Sequence, residues 1–153
     1  MSKEIYKSAK DTFLDLVDDD NFIKLDKAVE VYESLKISVK KPLKLVLLYG
    51  EPGTGKSMLL NRLYKELKND SDIFLYSIPI LDENEFFSTL AQDIYKQNTG
   101  ETFNFSKFNK LLYNVDLQRV SIIPLDESQL YSNTLMEKIR LLADSRKIKF
   151  VNN

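Results

Sequence analysis

Gly50 Glu51 Pro52 Gly53 Thr54 Gly55 Lys56 Ser57 is the stretch on which the reading of this chain turns. The whole sequence holds 4 glycines, and Gly50, Gly53 and Gly55 fall inside this one stretch. Such clustering calls for a backbone reason: glycine enters left-handed conformations without strain and lets the chain pass close to a bound group. The preceding residues 43–49, LKLVLLY, form a short apolar run bounded by Pro42, which predicts a buried strand. After it, Leu59, Leu60, Leu63, Tyr64 and Leu67 recur at helical steps, which predicts a helix to about Lys68. Strand, glycine-rich turn and helix together satisfy G-x-x-x-x-G-K-[ST] in the context the pattern needs. Successive amide N–H groups then line a phosphate cradle, and the positive end of the helix points at the same place. In that arrangement Lys56 reaches the β and γ phosphates and the Ser57 hydroxyl ligates Mg2+. Residues 50–57 and Met58 after them are the expected nucleotide-binding set.

Working outward, Leu25, Ala28, Val29, Tyr32 and Leu35 mark an amphipathic helix from Asp26 to about Ser38, ended by Lys40 Lys41 Pro42. Downstream, residues 73–78 have the aromatic and β-branched composition of a strand. Asp82 with Glu85 has the form of a capping box, and Phe86, Phe87, Leu90 and Ile94 make the stripe of the helix that follows. A shorter helix is expected around Phe105, Phe108, Leu111 and Leu112. A third strand falls within residues 117–125, another helix carries Leu135, Met136, Ile139, Leu142 and Ala143, and a fourth strand spans residues 148–151. Alternating strands and helices imply an α/β fold with a parallel sheet covered on both faces.

The third strand runs into Asp126 Glu127. An acid at a strand end can hold the water shell of Mg2+ opposite Ser57, and a second acid can orient and partly deprotonate an attacking water. Asp126 is the expected metal residue, with Glu127 as base and Lys56 as its catalytic companion. Gln129 could touch the γ phosphate or the water, or simply face solvent. The spacing from Lys56 leaves room for the acidic strand to lie beside the first strand, with a later strand outside it. Pro124 stands out, because proline removes a ladder donor from a strand interior.

Composition sets the bounds. The chain has 153 residues, 43% hydrophobic and 29% charged, which fits one domain over residues 1–153 with residues 1–20 as an amino-terminal extension. At this length folding buries roughly 70% of the unfolded surface, enough for a core without staples. Cysteine and histidine are both absent, which excludes disulfides, Cys/His zinc sites, thiol nucleophiles and any histidine base. A net charge of -1 gives no global reason to bind DNA or an anionic membrane, though a local basic patch stays open. The charged first twenty residues lack a signal-peptide core and no apolar run approaches a membrane span, so a cytoplasmic protein is expected. Asp18 Asp19 Asp20 reads as a turn.

With these residues in hand, the sequence resembles the AAA+ ATPases. GEPGTGKS looks like their Walker A loop and IIPLDES like their Walker B strand, with Pro124 replacing an expected aliphatic residue. The helix DKAVEVYESLKISV, the DESQ and the LMEKIRLLAD after it are similar to the ExeA-like group, associated with general secretion, type IV pilus-like or transformation machinery and related to TniB-type transposition helpers. The resemblance implies ATP and Mg2+ as ligands and a three-layer P-loop NTPase core of the ASCE/AAA+ kind with strand order 5-1-4-3-2. It also implies a homo-oligomer, a protein partner in such machinery, and a polar sensor at the end of the fourth strand, for which Asn152 is the candidate. In the family pattern the fifth strand, the arginine finger and the helical lid would lie beyond Asn153. The core therefore reads as truncated before strand 5 and lid, with slow turnover by this chain alone and the first strand at a sheet edge.

Other classes are weighed against the same letters. A GTPase needs D-x-x-G, and Gly100, the sole glycine after Gly55, has Gln97 three residues before it. A small-molecule kinase shares the loop but does not need Asp126 Glu127 and wants an arginine-rich lid. A nucleotide-binding interaction module without turnover, or a transposition helper ATPase, would keep both motifs.

Overall fold

The computed structural model describes residues 26–96 and 100–153. Elements in chain order are α1 (Asp26–Lys40), β1 (Leu45–Leu47), α2 (Lys56–Leu67), α3 (Glu83–Tyr95), α4 (Phe105–Asn114), β2 (Ser121–Leu125), a 3-10 turn (Ser128–Leu130), α5 (Asn133–Ala143) and β3 (Ile148–Asn152). Leu25 and the acidic run at 18–20 lie outside the described residues.

The strands are parallel, in the order β1-β3-β2. Segment 73–76 continues the sheet beyond β2 through parallel bridges Ile73 to Ile122 and Tyr76 to Leu125. The acidic strand β2 is thus not beside β1, a place the spacing left open to it; β3 lies between them. The family order, with the fourth strand next to the first, is the one adopted. A short connection through α5 delivers β3 into the central slot, where all of its residues are buried.

Two strands differ from the sequence reading, for backbone reasons. β1 is shorter than 43–49, and among the described residues β3 alone pairs with it, so its far side stays open and Leu47 and Tyr49 are exposed. The edge position agrees with the one the family order implies, while the burial expected from the apolar run is only partial. Residues 73–78 form two isolated bridges in place of a continuous strand. The amides of Ile122 and Asp126 donate to the carbonyls of Asp72 and Tyr76, and the residue between them on that side is Pro124. Proline has no N–H, so the ladder loses its rung to Phe74, while the Pro124 carbonyl still accepts from the Tyr76 amide at 2.9 Å.

Apolar stripes cover both faces of the sheet. On one side Tyr32, Leu35 and Val39 of α1 and Leu59, Leu60 and Leu63 of α2 pack with Ile73, Ile122 and Val151. On the other, Phe86, Phe87 and Leu90 of α3, Phe108 and Leu112 of α4, and Leu135, Ile139 and Leu142 of α5 pack with Ile123, Leu125, Ile148 and Phe150. Alternating strand residues feed opposite faces, as a sheet covered twice requires. Helix starts follow the side-chain chemistry: Asp82, Asn104 and Ser132 accept the amides of Glu85, Lys107 and Leu135. The result is a three-layer α/β core of the P-loop NTPase type.

Candidate nucleotide-binding site

The loop between β1 and α2 adopts the shape its glycines permit. Gly53 and Gly55 have φ of 78° and 81°, left-handed values that a side chain would strain. At Gly50 the space is tight for another reason: a Cβ there would come 3.0 Å from the Thr54 hydroxyl oxygen. That hydroxyl donates to the Glu51 carbonyl at 2.8 Å, closing the loop on itself. Glu51, Pro52, Gly53, Thr54 and Gly55 are exposed, while Lys56, Ser57 and Met58 are half-buried in the first turn of α2.

Unlike α3, α4 and α5, helix α2 begins on Gly55 with no side-chain cap for its first amides. An uncapped helix start presents N–H donors and a partial positive charge, the chemistry that suits phosphate. The Lys56 ammonium stays at the loop, 3.0 Å from the carbonyls of Gly50 and of Glu51.

Across the sheet end, Asp126 is buried and its Oδ1 collects three donors: Ser57 Oγ at 3.0 Å, the Glu127 amide at 3.0 Å, and Nδ2 of Asn153. Ser57 and Asp126 thus bring a hydroxyl and a carboxylate together, hard oxygen donors of the kind Mg2+ takes. Glu127 is exposed, with φ of 52°, a left-handed value uncommon outside glycine, and its Oε2 accepts from Nε2 of Gln129 on the 3-10 turn. Strained backbone of this sort collects at functional positions.

The sensor candidate Asn152 lies on β3 with the Phe150 face, away from α2. It is buried, and neither polar atom of its amide has a hydrogen-bond partner among the described residues. Asn153, which the sequence reading passed over, is the asparagine that reaches Asp126. Its carbonyl also accepts from the Ser128 amide at 2.8 Å and the Ser128 hydroxyl at 2.6 Å, and its amide donates to Leu125 at 3.1 Å. Strand alternation was the available signal: Val151 packs on the α2 side, so two residues on, Asn153 faces that side too. Among the described residues no group of three or more acidic side chains forms a metal cluster, and no helix is long and apolar enough to cross a membrane.

Fold and loop together define a P-loop nucleoside triphosphatase core. Residues 40–151 match the AAA domain family, and the chain belongs to it. The ExeA-like resemblance is matched as well: the chain is 28% identical over 103 residues to General secretion pathway protein A of Aeromonas hydrophila, covering 65% of this chain. It spans 19% of that protein's length. The solved structure of C. elegans PCH-2 is similar with a TM-score of 0.46 and 16% identity, over 85% of this chain and 38% of that one.

Proposed function

We propose that this chain binds ATP with Mg2+ on residues 50–58 and hydrolyses it. The observation that carries the reading is the contact of Ser57 with Asp126, which joins the phosphate loop to the acidic strand end. Backbone amides of the loop and the start of α2 hold the phosphates, and Lys56 swings from its carbonyl contacts to the β and γ oxygens. Ser57 and Asp126 would hold the cation through their oxygens, and its charge would offset that of the transferred phosphoryl group. Glu127 accepts the proton of the attacking water, with Gln129 holding its carboxylate in place. Asn153 orients Asp126 and takes the sensor position at the end of β3, in place of Asn152, whose side chain lies on the opposite face of the strand.

In this reading the domain works as a cytoplasmic homo-oligomer in which a neighbouring copy completes the site. It drives remodelling or assembly of a protein complex, either of the secretion kind, in line with the name of its curated relative, or of the pilus or DNA-uptake kind. The test is calorimetric titration of Mg-ATP with parallel phosphate release across a dilution series. Saturable binding with turnover that falls on dilution supports the proposal. Absence of binding at about 1 mM nucleotide would refute it.

A further inference from the structure

A concavity lies at the opposite end of the sheet from the phosphate loop, where the link from α1 to β1 passes the starts of β2 and β3. It measures about 360 Å³. Its floor is apolar, built by Val39, Leu43, Val120, Ile122 and Ile148, and its remaining walls carry Lys40, Lys41, Lys44, Arg146 and Lys149. No acidic residue lines it, although acids outnumber bases in the whole sequence, 23 to 22. Such segregation concentrates positive potential that the net charge conceals.

The cations do not have equal roles. Lys149 is buried, and its ammonium is committed to the carbonyls of Val39 and Lys41 at the end of α1. Lys44 pairs with Asp144 at 2.7 Å, outside the cleft. The side chains of Lys40, Lys41 and Arg146 are exposed and remain for a ligand. Available charge therefore sits on the rim, and the interior has no free donor for a phosphate group. Leu43 and Val120 are 44% and 46% exposed, so apolar surface at the cleft is open to a ligand.

We infer that this cleft docks an acidic peptide segment of a partner protein, one that inserts a bulky apolar side chain between Leu43 and Val120 and sets its carboxylates against Lys40, Lys41 and Arg146. Nucleic acid fits less well, because its charged backbone would meet an apolar floor with no aromatic face for stacking.

The test uses the full chain and a labelled hexapeptide, Asp-Asp-Leu-Phe-Asp-Asp, read by fluorescence anisotropy. Expected are saturable binding, a loss of about tenfold or more on joint Lys40→Glu and Lys41→Glu substitution, a similar loss for Leu43→Asp, and weakening as salt rises. These residues are exposed, so circular dichroism should show the fold retained. Lys56→Ala should leave peptide binding unchanged, which separates this inference from the nucleotide reading. The inference is overturned if the peptide does not bind, if charge reversal has no effect, if Asp-Asp-Ala-Ala-Asp-Asp binds equally well, or if a single-stranded oligonucleotide displaces the peptide at lower concentration.

Discussion

The Ser57 hydroxyl donates to Asp126 Oδ1 across 3.0 Å, although the two residues are 69 positions apart in the sequence. The oxygen donors expected to serve one cation are therefore already neighbours. Little rearrangement of the backbone is needed to use them, which lowers the ordering cost of binding.

Replacement of Lys56 tests the loop. Its ammonium contacts main-chain carbonyls of the loop and no core group, so Lys56→Ala should fold normally. Loss of a charge-assisted contact to phosphate should weaken ATP binding about 10- to 100-fold. Calorimetry checks this, and an unchanged affinity would remove Lys56 from the site.

The two acids should separate in behaviour. Asp126→Ala leaves the Ser57 hydroxyl, the Glu127 amide and the Asn153 amide without their shared acceptor, so it should destabilise the fold by about 1–3 kcal/mol and remove the magnesium dependence of binding. Glu127→Gln, at an exposed position, should leave stability and binding intact and lower phosphate release about 10²- to 10⁴-fold. Equal binding defects in both variants would contradict the division of roles.

Pro124 offers a backbone test. Pro124→Val supplies the missing N–H opposite Phe74, so segment 73–76 should pair continuously with β2. Amide exchange at Phe74 and Tyr76 should slow measurably. The new hydrogen bond, about 0.5–1.5 kcal/mol, is partly offset by greater unfolded-state freedom of about 0.4–1 kcal/mol. Faster exchange in the variant would show that proline supports this edge.

Alkaline stability depends on the tyrosines. Burial pushes the Tyr95 phenol up to about 12 and also raises those of Tyr32, Tyr76 and Tyr131. An unfolded chain releases phenolic protons from about pH 10, while the folded chain retains them, so stability is lost as pH rises above about 10. Lys149 works the other way: burial lowers its value, so its contribution improves with pH up to the ordinary lysine range and is then constant. The urea midpoint should therefore fall between about pH 10 and 12. Tyr95→Phe should flatten that fall. It should also be neutral or stabilising by up to about 1 kcal/mol near pH 7, since the Tyr95 hydroxyl has no partner among the described residues.

Legibility in the sequence tracked how local the physics was. The glycine-rich turn between β1 and α2 was readable because its glycines shape the backbone within a few residues of chain. Caps at Asp82, Asn104 and Ser132 rest on three-residue relationships, and the first of these was read directly. Strand order was not readable from spacing, because whether β2 or β3 adjoins β1 depends on pairings between segments far apart in the chain. The role of Asn153 was hidden for a related reason. A one-residue shift moves a side chain to the other face of a strand, so Asn152 and Asn153 separate once the register with Leu125 is fixed. Pro124 was noticed as an irregularity, but its effect falls on segment 73–76, which no pattern within β2 itself could reveal.

The pairing of β1 sets a timetable for synthesis. Leu45, Val46 and Leu47 pair with Phe150, Val151 and Asn152, roughly a hundred residues later, and among the described residues no other strand takes their place. A chain emerging from the ribosome can build α1 and α2 from local contacts early, but β1 has to wait for β3. Until then the strand that anchors the phosphate loop presents unpaired backbone and leucine side chains to the cell. The nascent protein should be a client for chaperones over that interval, and nucleotide added during translation should gain purchase only after β3 has been released.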